Sequence, residues 1–351
     1  MSGRDGILAV RQDSLGDVLL TGPALRALAA GKQGPLTLLC GPRGEAAARL
    51  LPGVDEVLVH LSPWIDPEPP PVEREACRRL VEAVERRRPR EAVIFTSFHQ
   101  SPLPTALLLR QAGVPRIAAI SEDYPGSLLD LRHRVPDDLH EVDRALSLVE
   151  AAGHRLAPDD TARLRVDLAA IPPPLPEQPF VAVHPGASVS ARAWEPGAWS
   201  SVVALLVERG HRVVVTGAPG EAGLTRAVAA GRPGVLDLGG RCSFAELAAV
   251  MARAEAVAVA NTGPAHLAAA VGTPVASLFA PTVPWARWRP WGVPHELLNR
   301  DVACAGCRAR ECPVPGHPCL AAVEPAEVVA AVERLASWRR DRAEERAEAF
   351  A

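Results

Sequence analysis

The sequence predicts an α/β fold built from two Rossmann-like domains. Three observations carry that prediction. Short apolar runs of strand character alternate with longer segments of helical periodicity, the signature of parallel sheets covered by helices. The alternation stops in a proline-rich stretch and then restarts. The length, 351 residues, suits two domains of ordinary size better than one.

In the first half, Ile7–Val10 is a predicted strand and Asp17–Ala30 a helix, with Val18, Leu19, Leu25 and Leu28 on one face. Leu36–Leu39, Glu56–Val59 and Ala92–Thr96 are further strands, and Arg74–Arg88 is an amphipathic helix between them. The interruption from Ala157 to Pro179 carries Pro158, Pro172, Pro173, Pro174, Pro176 and Pro179, and has the composition of a linker. Phe180–Val183 then starts a second series: a helix at Trp199–Arg209, a strand at Arg212–Thr216, a helix, and a strand near Val235. A helix at Phe244–Arg253, a strand at Ala256–Ala260, a helix at Pro264–Ala270 and a strand at Pro274–Phe279 follow. The last element is a helix from Pro325 to about Ala349 with proline in its first turn. The expected division is residues 1–170, a linker at 171–179, a second domain at 180–322, and a terminal helix at 323–351.

Composition narrows the function. Lys+Arg is 38 against Asp+Glu 41, a net charge of −3, which lacks the basic excess of a dedicated nucleic-acid binder. Hydrophobic residues make up 48%, enough for a packed core. No run approaches the ~18 uninterrupted apolar residues of a membrane span, and the first residues, Met1 to Gly6, read as no leader. The seven cysteines are an odd number in a long chain, against a secreted disulfide framework. The expected compartment is the cytoplasm. Lys32 is the only lysine, so a phosphate site here is expected to use arginine.

Four strand-end loops carry candidate chemistry. Arg11-Gln-Asp-Ser-Leu-Gly-Asp17 follows the first strand. Its Asp17, at the predicted helix start, is either a cap or a general base, and Asp13 suits either role. His184-Pro-Gly-Ala-Ser188, followed by Arg192, offers backbone N–H groups, a hydroxyl and a forked cation to a diphosphate. Thr216-Gly-Ala-Pro-Gly-Glu221 lacks the dinucleotide fingerprint spacing, and its Glu221 can accept from ribose hydroxyls. Asn261-Thr-Gly-Pro-Ala-His266 opens a helix whose N-terminus favours an anion, with Thr262, Gly263 and His266 at the corner.

These residues resemble glycosyltransferase family 9, the heptosyltransferases that use ADP-heptose to build the inner core of lipopolysaccharide. The resemblance rests on DSLGDVLLTGPALRAL, NTGPAHLAAAVGTP and LFAPT, and is thinner between about Leu61 and Ala170. It implies the GT-B fold, two facing Rossmann-like domains with a cleft between them and a C-terminal helix that returns to the first domain. It also implies an inverting, metal-independent transfer to a glycan, glycolipid or small-molecule hydroxyl, with at most peripheral contact with the membrane. Asp17 matches the family's base in the LGD turn. Arg192 falls where many members place a lysine on the donor diphosphate, beside Ala187 and Ser188. Thr216 belongs to the donor loop, Glu221 matches a ribose contact, and Cys242 falls near the adenine edge. Thr262, Gly263 and His266 match the phosphate and sugar corner. Asn261 stands where several members have an aspartate toward the donor sugar, which keeps an acceptor oxygen and loses the charge. Two readings compete with transfer: a sugar-nucleotide epimerase on the same fold, and a non-catalytic nucleotide- or glycan-binding module.

Cys304, Cys307, Cys312 and Cys319 form a close cluster. It reads either as a structural zinc site, though the spacing lacks two clean knuckles, or as reduced thiols or a local redox pair.

Overall fold

The computed structural model describes residues 6–349; the chain start read as carrying no leader lies almost wholly outside them. The chain divides into two compact units, with the boundary between Asp167 and Leu168.

In the first unit the elements run β1 (Ile7–Arg11), α1 (Leu15–Leu20), α2 (Gly22–Ala30), β2 (Leu36–Cys40), α3 (Glu45–Ala48), β3 (Glu56–Val59), α4 (Arg74–Arg87), β4 (Glu91–Ile94), α5 (Leu103–Gln111), β5 (Ile117–Ile120), β6 (Leu131–His133) and α6 (Glu141–Ala151). The six strands are parallel, in the order β3-β2-β1-β4-β5-β6. Every residue of β1, β2, β4 and β5 is buried, as expected where a parallel sheet is covered on both faces.

The second unit repeats this plan. It runs β7 (Phe180–His184), α7 (Pro196–Glu208), β8 (Arg212–Val215), α8 (Ala222–Ala229), β9 (Val235–Asp237), α9 (Phe244–Arg253), β10 (Val257–Ala260), α10 (Gly263–Ala270), β11 (Val275–Leu278), α11 (Trp285–Trp288), β12 (His295–Leu298), α12 (Pro318–Ala321) and α13 (Pro325–Ala349). Its parallel strands lie in the order β12-β11-β10-β7-β8-β9. Trp199 of α7 is fully buried and meets Trp194 edge-to-face at 5.3 Å, anchoring this core.

Each sheet reverses its strand order at one place, between β1 and β4 in the first unit and between β7 and β10 in the second. Loops leaving the carboxyl ends there splay apart and open a crevice for ligands.

Two expectations are revised. The helix expected at Asp17–Ala30 is two helices, broken at Thr21. Pro23, second in α2, fits a first turn but would clash with the preceding carbonyls in a helix interior. The stretch between Thr96 and Ala157, to which the sequence reading assigned nothing, holds α5, β5, β6 and α6. The terminal helix α13 packs within the second unit: Val328, Val329, Val332 and Leu335 join the core around Trp199. The linker expectation also gains detail. Residues 152–179 hold no helix or strand, yet Arg26 of α2 grips Asp160 at 2.6 and 2.9 Å and the Arg163 carbonyl at 2.7 Å. The start of the stretch is thus strapped to the first unit.

Candidate active site

The crevice of the first unit is built around Arg11, the last residue of β1. Its backbone continues the sheet, and its side chain is only 2% exposed. A buried guanidinium needs all its donors satisfied. Here Nε donates to Asp13 at 2.6 Å, Nη1 to Glu141 at 3.2 Å, and Nη2 to Ser97 at 3.0 Å and Glu141 at 3.3 Å. Nη2 also lies 3.1 Å from Asp17 Oδ1. Ser97, just beyond β4, passes its hydroxyl proton on to Asp13 at 2.8 Å.

The two candidate carboxylates differ in setting. Asp13 sits in the turn between β1 and α1, and burial pushes its carboxyl up to about 7 against the pull of Arg11. Asp17 lies in the first turn of α1, with Ser14 as the N-cap. Ser14 Oγ donates to Asp17 Oδ2 at 2.5 Å, and Asp17 keeps 14% of its side chain exposed. Asp13 keeps 9% of its side chain exposed, so both carboxylates retain some accessibility at this strand end. Gly16, expected to form the strand-to-helix turn, lies inside α1 instead. The close approach falls on Gly41, where a Cβ would come 2.4 Å from the Gln12 carbonyl. Ser97 and Glu141 escaped the sequence reading because they lie 86 and 130 residues from Arg11; Arg11 was inside the quoted motif but drew no role.

In the second unit, the loops after β7, β8, β10 and β11 meet at the crevice. Arg192, on the short turn Ser190–Arg192, reaches the Thr282 hydroxyl at 3.3 Å and the Asn261 carbonyl at 3.5 Å. It thereby ties three strand-end loops together. Asn261 and Thr262 are buried at the head of α10. The Asn261 amide donates to the Ala280 carbonyl at 3.3 Å, while Asn261 Oδ1 and Thr262 Oγ1 have no hydrogen-bond partner. Buried polar atoms of this kind are costly unless a ligand satisfies them. Backbone donation at α10 is thinner than the sequence suggested, since Pro264 has no N–H and the Ala265 N–H is spent on the Thr262 carbonyl. Arg192 correspondingly carries more of the attraction for an anion. His266 is buried one turn on, and Gly263 opens the helix.

His184, at the end of β7, is also buried, and burial holds it down to about 4. It is neutral near pH 7. It contacts the Thr216 hydroxyl at 3.0 Å, and its Nε2 lies 3.8 Å from Glu221, a dipolar contact for a neutral ring. Glu221 accepts from the Ala218 N–H at 2.8 Å and packs on Gly186, where a Cβ would overlap its carboxyl carbon at 2.2 Å. Ala187 is half-buried and Ser188 exposed on the same loop as Gly186. Cys242 lies on the loop after β9, which is stitched to the Glu221 loop by the Gly240 N–H to the Gly217 carbonyl at 2.9 Å. Burial, with Glu246 nearby, pushes the Cys242 thiol up.

Cys304, Cys307, Cys312 and Cys319 line one small cavity together with His317, Ala191 and Thr282. Burial and the neighbouring sulfurs push the Cys319 thiol up. Among the described residues no three His, Cys, Asp or Glu side chains are arranged to hold a metal ion. The loop has a mechanical role: it holds the Arg192 turn through the Ala191 N–H to Arg310 carbonyl bond at 2.9 Å, and Thr282 through the Arg308 N–H at 2.9 Å.

Residues 99–317 match the family model described as glycosyltransferase family 9 (heptosyltransferase). The chain is 32% identical over 167 residues to lipopolysaccharide heptosyltransferase 3 of Escherichia coli, covering 45% of this chain and 47% of that one. It is 28% identical over 219 residues to lipopolysaccharide heptosyltransferase 1 of Pseudomonas aeruginosa, covering 61% of each. These matches span about half to three fifths of the relatives' lengths. The solved E. coli ADP-heptose lps heptosyltransferase II superposes with a TM-score of 0.73 at 18% identity, over 95% of this chain and 99% of that one. The two six-stranded parallel sheets thus have the GT-B arrangement of elements found in that structure.

Proposed function

This chain belongs to glycosyltransferase family 9, the heptosyltransferases, and from that premise we propose that it transfers a heptose from ADP-heptose to a hydroxyl acceptor with inversion at the anomeric carbon. The observation that carries the proposal is the placement of Arg192, bonded to the Asn261 main-chain carbonyl, near the unpartnered Asn261 Oδ1 and Thr262 Oγ1 at the head of α10. A diphosphate satisfies the cation, and a sugar hydroxyl satisfies the acceptor oxygen of Asn261. The names of the relatives support the donor and a lipopolysaccharide acceptor.

In this proposal Asp17 of the first unit removes the acceptor proton as the hydroxyl attacks. General-base catalysis by a positioned carboxylate contributes typically ~10²–10⁴-fold. Arg192 and the head of α10 stabilise the negative charge that gathers on the leaving diphosphate. Those fixed donors suit a reaction that needs no catalytic metal. Glu221 accepts from the ribose hydroxyls, Ala187 and Ser188 flank the diphosphate, and Cys242 borders the base. A cytoplasmic location agrees with this donor and acceptor. Among the described residues no helix is long and apolar enough to cross a membrane.

The test supplies ADP-heptose and other nucleotide sugars with a panel of core-oligosaccharide and small-molecule acceptors, in the presence and absence of a chelator. The expected result is ADP release coupled to acceptor glycosylation, unaffected by chelator and lost in Asp17→Asn. Donor turnover without an acceptor would replace transfer by epimerisation, and nucleotide binding without turnover would leave only a binding module.

A further inference from the structure

Arg11 faces more negative charge than it can neutralise. Asp13, Asp17 and Glu141 all lie within 3.3 Å of its guanidinium, and the last is 1% exposed. Glu141 has no contact with solvent that would explain its charge. Removing a carboxylate from water is costly, and an apolar residue would have filled the first turn of α6 at less expense. Its Oε2 sits in the fork between Nη1 and Nη2, at 3.2 and 3.3 Å. This contact fixes the plane of the guanidinium. Nη2 then faces Asp17 at 3.1 Å and Nε faces Asp13 at 2.6 Å.

We propose that Glu141 is a positioning residue for the transfer: held in the Arg11 fork, it orients the guanidinium so that Nη2 faces Asp17, and it takes a share of the arginine's charge. The proposal deepens the transferase reading and rests on it. A carboxylate paired alone with a buried arginine becomes a poor base, because the cation strongly favours its ionised form. Sharing the cation among three carboxylates weakens that effect on each. Burial pushes the Glu141 and Asp13 carboxyls up, and Asp17 adds to both. Glu141 and Asp17 share Arg11, so the charge on one bears on the other.

The other charged groups near this cluster are accounted for. On α6, Arg144 Nε stands 4.0 Å from Glu141 Oε1, with Asp143 and His140 on the same turn. On α3, Glu45 is paired with Arg49 at 2.6 Å. On α2, Arg26 is taken by Asp160. Beside Arg11, Arg144 is thus a second cation set against Glu141; it also acts on His133 of β6, and it gives a handle of opposite sign.

The experiment titrates the Asp17 carboxyl by carbon-13 NMR in the full chain, for wild type, Glu141→Gln and Arg144→Met, and records the pH profile of kcat/KM for transfer from ADP-heptose. Glu141→Gln keeps an acceptor and removes one negative charge. Its Asp17 titration is expected to move to lower pH by roughly one unit, the acid limb of the profile to follow, and kcat to fall about tenfold. ADP affinity, read by calorimetry, stays at the wild-type value. Arg144→Met is expected to move the titration the other way, and Glu141→Asp to recover part of the loss. An Asp17 titration unmoved in the folded variants overturns the inference, whatever the activity. If Glu141→Gln does not fold, Arg144→Met decides alone. A titration that moves as expected in a wild-type chain that transfers no sugar overturns the transferase reading instead.

Discussion

The two units share a strand order and differ in what they place at the point where that order reverses. In the first, the end of β1 carries a cation whose every nitrogen is engaged and around which acids are in excess. In the second, the end of β7 carries a histidine kept neutral by burial, while Asn261 Oδ1 and Thr262 Oγ1 across the crevice are left without partners. The same backbone topology thus supports a strand end crowded with carboxyl groups around one cation and a strand end with buried acceptors left unpartnered. Topology sets where a ligand goes, and the side chains closing each strand end set its charge.

The contrast can be broken at either end. The largest effect is expected from Asp17→Asn: kcat falls by ~10²–10⁴ with ADP affinity unchanged, and retained turnover in a transfer assay would move the base elsewhere. Next is Arg11→Met, which removes the counter-charge of Asp13 and leaves Glu141 with Arg144 at 4.0 Å. Breaking one side of a buried ion pair costs about 3–5 kcal/mol. Urea unfolding should show the loss at pH 8 and a smaller one at pH 5, where the stranded acids bind protons.

The pH dependence of stability sharpens the comparison, because the two units pull in opposite directions. Asp13 is held up to about 7, above its unfolded value. Its contribution is present below about pH 4 and is lost as pH rises through 7. His184 is held down to about 4 from 6.5. Its contribution is present above pH 6.5 and is lost as pH falls through 4, an effect on the order of 3 kcal/mol. Urea titrations of His184→Gln should show a flatter dependence between pH 4 and 6.5 than wild type; identical slopes would place the acid sensitivity elsewhere. The smallest effect is expected at Arg192. Its replacement by alanine should weaken ADP binding by about 10–100-fold, the value of one or two charge-assisted hydrogen bonds. Lysine should recover much of that in calorimetry, and a lysine variant as weak as alanine would mean that the fork rather than the charge matters.

Much of this was legible in sequence because it is local. Strand, turn and helix succeed one another within a few residues at Arg11–Asp17, His184–Ser188 and Asn261–His266, so those loops can be placed from periodicity and glycine positions. The stretch from Thr96 to Ala157 was not legible. Pro102, Pro104, Pro115, Pro125 and Pro136 cut its apolar pattern into pieces too short to assign, although tertiary burial makes helices and strands of them. Nor was the Arg11 cluster, because its members come from β1, the loop after β4 and the start of α6, and only the sheet brings them together.

Gly186 and Glu221 lie 35 positions apart in sequence, and a single added methyl at 186 would occupy the volume of the Glu221 carboxyl. The two positions are thus not free to vary independently. Alanine at 186 must expel or rotate Glu221, and a shorter residue at 221 makes alanine at 186 harmless to the fold while removing the carboxylate proposed to accept from the ribose. Deep mutational scanning should therefore find strong epistasis between them, positive for abundance and absent for activity. A library meant to vary this corner of the chain has to randomise both positions together.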